Sequence, residues 1–392
     1  MLRMSARKNW KTALIHSDAA VTTNFNSLTS PVYRGSTVLF EHAADASEEW
    51  NQWEHGYTYG LYGTPTTLEL AARICELEGG RHTLIIPGGQ GAISLIHLAL
   101  LNAGDHVLLP ENIYGPNRKL ANLLLRRFSI EVGYYPPDCG ASISSQFRPN
   151  TRVVWCENPG SVTMEIQDVP AIAAAAHRHG ALVVLDNTWS AGVYFDAFAH
   201  GVDVTMQALT KYVGGHSDLL LGSITVRDPQ LFQRLGEAHQ VVGCPASPDD
   251  CSLALRGMKT MAVRLKHVEQ SALELAHWLS RRSEIERVLH PALPSCPGHE
   301  LWKRDFTGST GLFSIVFHER FSKEQVQRFV DSLNLFKIGY SWGGVSSLVM
   351  SYDLHSPKRP AYGSRIVRLY TGLEDPDDLK ADLEQALATI AS

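Results

Sequence analysis

From about residue 70 to about residue 255, short apolar runs alternate with amphipathic segments of helical length. The run 83–86 predicts a strand that ends in Pro87-Gly88-Gly89, a helix follows over 91–101, and 106–109 predicts the next strand. A helix over 116–128 leads to a strand over 130–134, and 153–156 and 182–185 predict two further buried strands. Between those two lies an alanine-rich helix over 169–179, which Gly180 ends as its cap. Strand, helix and strand at this spacing predict an α/β fold with a mostly parallel sheet flanked by helices, and ligands on such sheets gather at the carboxyl ends of the strands.

Two segments stand outside the alternation. Residues 1–60 are irregular, polar and aromatic, and read as an N-terminal arm. After Arg256-Gly257 a helix over 263–282 is followed by strands over 312–317, 347–350 and 366–370, interleaved with helices over 323–333 and 377–390. This reads as a smaller α+β domain. The chain thus divides into an arm (1–60), an α/β domain (61–255) and a C-terminal α+β domain (256–392), with no internal repeat.

Composition narrows the class without naming it. A chain of 392 residues with 44% apolar and 19% charged residues suits a soluble enzyme. Its net charge of −5 argues against nucleic acid or anionic lipid as the main partner, because both reward basic surfaces. Arg3, Arg7 and Lys8 make the start basic, but no apolar core follows as in a secretory signal, so the expected location is the cytoplasm. The six cysteines show no C-x-x-C pair and the 17 histidines no H-x-x-x-H cluster, so no metal is expected.

Chemistry concentrates at three places. Lys211 follows the strand-like run 202–206 and precedes a loop with Gly214-Gly215. A lysine so sheltered loses hydration, and its neutral amine can attack an aldehyde, although most lysines are simply solvated. Asp186 directly follows the apolar run 182–185, where an acid needs a cationic partner such as a protonated pyridine nitrogen; alone it would pass for a helix cap. Gly88-Gly89-Gln90-Gly91 joins a strand to a helix, where bare N–H groups suit a phosphate dianion, though such a turn is often only a tight connection.

With these three in view, the chain resembles the Cys/Met-metabolism family of fold-type I pyridoxal-phosphate (PLP) dependent transferases. The likeness runs from about residue 30 to the end and is carried by Tyr59-Gly-Leu-Tyr-Gly-Thr-Pro-Thr66, Glu157-Asn-Pro-Gly160, Leu185-Asp-Asn-Thr-Trp189, the Lys211 segment, Leu255-Arg-Gly-Met-Lys-Thr260 and Gly372-Leu-Glu-Asp375. His290-Pro-Ala-Leu-Pro294 and Ser341-Trp-Gly-Gly344 resemble the β-lyase branch.

The resemblance implies roles residue by residue. Lys211 would bind PLP covalently and move protons, Asp186 would pair with the pyridine nitrogen, and Tyr114 would stack on the ring. Gly89, Gln90 and Thr210 would hold the phosphate, with Tyr59 reaching it from a neighbouring subunit, so a dimer or tetramer with shared sites is expected. Arg368 would grip the substrate carboxylate, unless it pairs with Glu374 or Asp375, and Ser341 and Trp342 would line the substrate pocket. The implied reaction is a carbon–sulfur β-elimination that splits cystathionine into homocysteine, pyruvate and ammonia. The alternative is a γ-lyase or γ-replacement reaction on a homoserine derivative such as cystathionine, methionine or canavanine. Two positions depart from the family: Leu61 stands where arginine is common beside the phosphate, and Ser346 where many members carry glutamate.

Overall fold

The structure, a computed structural model, describes residues 9–16, 27–354 and 362–390; the basic start and residues 17–26 of the expected arm lie outside them. Seven strands, β1 (His82–Ile86), β2 (His106–Pro110), β3 (Glu131–Tyr135), β4 (Thr151–Glu157), β5 (Leu182–Asp186), β6 (Val204–Gln207) and β7 (Gly222–Val226), form one sheet in the order β1-β7-β6-β5-β4-β2-β3. Only β7 is antiparallel to its neighbours. The carboxyl ends of the other six therefore share one edge.

Both faces of this sheet are covered, as the near-continuous apolar strands require. Side chains alternate along each strand. Val154, Cys156, Val183 and Leu185 pack with the helices Pro65–Glu78 and Val169–Arg178 on one face. Val153, Trp155, Val184, Val204 and Met206 pack with Gly89–Leu100 and Pro229–Val242 on the other. Helix starts follow the local chemistry: the Asp168 carboxylate accepts the Ala171 N–H, and that of Asp228 the Gln230 N–H. Gly180, at φ +73°, follows the end of the alanine-rich helix as expected.

A second sheet contains β8 (Ile285–Leu289), β9 (Leu312–Phe317), β10 (Lys337–Ile338), β11 (Leu348–Leu354) and β12 (Gly363–Tyr370), in the order β10-β11-β12-β9-β8. Helices Lys323–Asp331 and Pro376–Ala388 join it in a separate apolar core. Buried Asp382 ties the segment before β10 to the last helix by accepting the N–H groups of Asn334, Leu335 and Phe336 at 2.8, 2.8 and 3.2 Å. Among the described residues no helix is long and apolar enough to cross a membrane, and no group of three or more His, Cys, Asp or Glu is placed to hold a metal.

The structure corrects the sequence reading at several elements. The helix expected over 116–128 is α-helical only over Gly115–Leu120; a wider turn takes 121–125 and a tighter one 126–128, before Ser129 at φ +61° reverses the chain. β7, β8 and the helix Pro229–Val242 were not anticipated, because their apolar runs are short or interrupted by charge. The helix expected over 263–282 begins much earlier and is the 32-residue helix Pro248–Leu279. Gly257, inside that helix, marks a close contact: a Cβ there would stand 2.3 Å from the carbonyl oxygens of Val213 and Gly214. The helix thus crosses the point between residues 255 and 256 at which we propose to divide the large domain from the small.

That contact is testable. Gly257→Ala should force the helix off the loop that follows Lys211 and destabilise the chain by about 1–3 kcal/mol, read as a lower urea midpoint at unchanged slope.

Candidate active site

Five parallel strands deliver their following residues to one edge. β1 leads into Gly88–Gly91, β2 into Glu111–Tyr114, β4 ends at Glu157, β5 at Asp186, and β6 precedes Lys211. The second sheet adds Arg368 from β12 and the turn 341–344.

Lys211 is at the centre. Its Nζ donates to the Ser341 hydroxyl at 2.5 Å and stands 5.4 Å from the centre of the Trp342 ring. Burial, reinforced by the nearby Arg368 guanidinium and opposed by Asp186, pushes its pKa down to about 8. About a tenth of the amine is therefore neutral at pH 7, far more than at the ordinary lysine value, as a nucleophile requires.

Asp186 faces it from the end of β5. Its Oδ1 accepts both the N–H and the hydroxyl of Thr188, at 3.0 and 2.5 Å, and the Thr188 oxygen in turn accepts the Ala208 N–H. Burial raises the Asp186 carboxyl above its ordinary value, while Thr188 and Lys211 oppose the rise. The neighbouring Glu157, paired with Asp186 across β4 and β5, is pushed well above the usual carboxylate range by burial and by Asp186 itself. Its Oε2 accepts the Tyr114 N–H at 2.6 Å, which fixes the residue whose ring is expected to cover a cofactor. Tyr114 is 40% exposed, leaving a face open to a ligand; burial and the carboxylates of Asp186 and Glu157 raise its phenol, against Arg368.

The start of the helix Gly89–Leu100 offers bare backbone donors to an anion. Gly88 is left-handed at φ +86°, and a Cβ on Gly89 would lie 2.6 Å from the Ala208 Cβ. The first N–H groups of this helix have no partner inside it. Thr210 lies on the strand-side wall, its hydroxyl donating to the Leu221 carbonyl and accepting the Leu221 N–H at 3.1 and 3.2 Å. A buried acid for a ring nitrogen, an amine for an aldehyde, an aromatic face and a glycine cradle fit PLP.

Arg368 is 9% exposed, and among the described residues no carboxylate pairs with it. The expected alternatives are engaged elsewhere: Glu374 accepts the N–H and hydroxyl of Ser347, and Asp375 caps the last helix. Arg368 instead donates to the Ser341 carbonyl at 3.3 Å and stacks over Tyr352, 5.3 Å from the ring centre. Burial lowers its pKa, against the phenols of Tyr352, Tyr114 and Tyr340. Such a guanidinium can take a substrate carboxylate. Tyr59 is the exception among the expected residues: nearly half exposed, it bridges Thr37 and rests its ring against Tyr62. Leu61 lines a crevice with Trp50, Tyr62 and Phe232, and Ser346 is exposed.

The sequence model for the Cys/Met metabolism PLP-dependent enzymes matches residues 11–388. The chain belongs to that family. A cystathionine beta-lyase of Bordetella avium is 40% identical over 91% of each chain, and the cystathionine beta-lyase MetC of Escherichia coli is 37% identical over 98% of this chain and all of its own. The crystal structure of metB from Corynebacterium glutamicum superposes with a TM-score of 0.88 at 27% identity, over 98% of each chain. Family membership makes this a PLP-dependent enzyme of fold type I.

Sequence reasoning singled out neither Glu157 nor Tyr352. Glu157 ends an apolar strand just as Asp186 does, so the same signal was available. Tyr352 carried none, because only the pairing of Tyr352 with Ile366 across β11 and β12 brings its ring beneath Arg368.

The lowered lysine has a thermodynamic signature. Between about pH 8 and the unfolded value near 10.5 the unfolded chain binds more protons at this position, so stability rises with pH there. Below that window the buried ammonium is a penalty. Lys211→Met should therefore make the cofactor-free chain more stable than wild type in urea at neutral pH, with the gain vanishing above about pH 10.

Proposed function

We propose that the chain is a PLP-dependent carbon–sulfur β-lyase that converts cystathionine to homocysteine, pyruvate and ammonia, and that the residues gathered at the sheet edge carry the reaction. The observation that supports it most directly is the single cluster of a desolvated Lys211 amine, the Asp186 carboxylate and an Arg368 without a carboxylate partner.

Bound at this edge, PLP supplies an aldehyde that takes up an amine and a ring that accepts the electron pair left at the substrate Cα. Lys211 holds the cofactor covalently, Asp186 keeps the pyridine nitrogen protonated, and Tyr114 covers the ring. The N–H groups of Gly89 and Gln90 and the Thr210 hydroxyl hold the phosphate, with Tyr59 of a second copy completing that site, so the working form is at least a dimer. Arg368 takes the substrate carboxylate in a bidentate grip, which places Cα beside the lysine. With its amine free, Lys211 Nζ would take the Cα proton and hold it as an ammonium. The bond between Cβ and sulfur then breaks, and the sulfur leaves with its electron pair. Trp342 and Ser341 wall the pocket and keep water from the amine.

Incubation with cystathionine should yield pyruvate and homocysteine; 2-oxobutyrate and cysteine in their place would mean γ-chemistry and overturn the assignment. Lys211→Ala should lose both turnover and the borohydride-fixed pyridoxyl label on its peptide.

Arg368→Lys keeps the charge but not the fork. It should lower kcat/KM by roughly 10- to 100-fold, mostly through KM, in steady-state kinetics.

A further inference from the structure

The turn 341–344 comes to Lys211 from the second sheet and touches it three times. The Ser341 hydroxyl accepts the amine at 2.5 Å, the Trp342 ring centre lies 5.4 Å from it, and a Cβ on Gly343 would come 3.0 Å from the Lys211 Cα. The turn has little stiffness of its own. Gly343 takes φ +85° at no steric cost, but Ser341 is held at φ +83°, and an L-residue seldom keeps such angles unless its surroundings impose them.

What imposes them is β12. Arg368 donates to the Ser341 carbonyl at 3.3 Å, and the Tyr370 hydroxyl donates to the Gly344 carbonyl at 2.6 Å. Two positions apart on a strand, the two side chains share a face and grip the turn by its two ends. Their duties differ. The guanidinium is also the group proposed for the substrate carboxylate, whereas Tyr370 is 1% exposed and its hydroxyl has no other partner among the described residues. Burial raises its phenol, so it remains a donor at neutral pH. Its ring lies 6.3 Å from that of Tyr212, which lies 5.4 Å from Trp342, so the phenol is braced by the aromatic group it helps to place.

We propose that Tyr370 is a positioning residue for Lys211: its phenol fixes the 341–344 turn by the Gly344 carbonyl, and the turn fixes where the Ser341 hydroxyl meets the lysine amine. The consequence for turnover rests on the reading of Lys211 given under Proposed function. The charged groups facing the amine are Arg368 from β12 and Asp186 from β5, and removing the Tyr370 hydroxyl alters the charge of neither.

The test is the pH dependence of Lys211 acetylation by acetic anhydride in the cofactor-free full chain, resolved by peptide mapping. An acceptor aimed at an ammonium stabilises the protonated form more than the neutral one, so displacing Ser341 lowers the midpoint. Tyr370→Phe should lower it by about half a pH unit, Ser341→Ala by a similar amount, and the double variant no further, because both act through one contact. Tyr135→Phe, which removes a 2.7 Å bond from a phenol to the Trp155 carbonyl elsewhere in the core, should leave the midpoint at the wild-type value. In the loaded enzyme Tyr370→Phe should lower kcat about tenfold. An unmoved midpoint in folded Tyr370→Phe, or shifts that add in the double variant, would overturn the proposal. If Tyr370→Phe does not fold, the same titration is read on Tyr370→Met, which removes the donor to the Gly344 carbonyl with an adaptable apolar side chain, and an unmoved midpoint there counts equally against it. A wild-type enzyme that forms no pyridoxyl adduct on Lys211 would instead defeat the assignment of the cofactor lysine.

Discussion

The Lys211 amine is packed between the Ser341 hydroxyl and the Trp342 ring, with Arg368 near enough to oppose its charge and Asp186 near enough to favour it. Withdrawing an ammonium from water is costly, and the chain recovers the cost only by using the amine in its neutral form. The neighbours follow from that constraint. Arg368 biases the amine towards neutrality while waiting for an anion, and Asp186 keeps a negative charge close by without a direct hydrogen bond to the lysine. The two buried acids at the ends of β4 and β5 are both pushed up by burial, and Glu157 is pushed further because Asp186 adds its repulsion.

The fold places these groups with few special devices. A parallel sheet sends the end of every strand to one edge, so residues far apart in sequence arrive together. The devices it does need sit in the connections. Gly88 and Gly89 let the helix Gly89–Leu100 begin against Ala208, and left-handed Ser217 and Ser341 bend the two loops that flank the lysine. Non-glycine residues held this way cost about 1–3 kcal/mol each and persist only where the packing around them is over-determined.

Much of this was legible in the sequence. The alternation of buried runs gave the α/β sheet, and Lys211, Asp186 and the glycine turn after β1 declared themselves by type and by position at strand ends. The second sheet's contribution was harder. Arg368 and the Ser341–Gly344 turn could be assigned only through family likeness, because nothing in their local sequence says that β12 will lie across the edge of another sheet. Tyr352 and Tyr370 were invisible for the same reason, since their contacts are made by tertiary pairing rather than by sequence neighbourhood. The long helix was started too late, because a glycine lowers the helical signal and the backbone that Gly257 touches is not written in its sequence neighbours.

That glycine sits near the start of a helix about 48 Å long by its residue count. Cys251, Met258 and Leu265 lie in the core beneath the large sheet, whereas Ala272, Leu275 and Leu279 lie in the core of the small one. One rod is therefore spliced into two interiors, and its near end leans on the backbone three residues beyond the reactive lysine. Neither half can swing as a free lid or melt alone without pulling on that splice. Loosening the C-terminal sheet would reach the amine mechanically, well before any side chain in the pocket was altered.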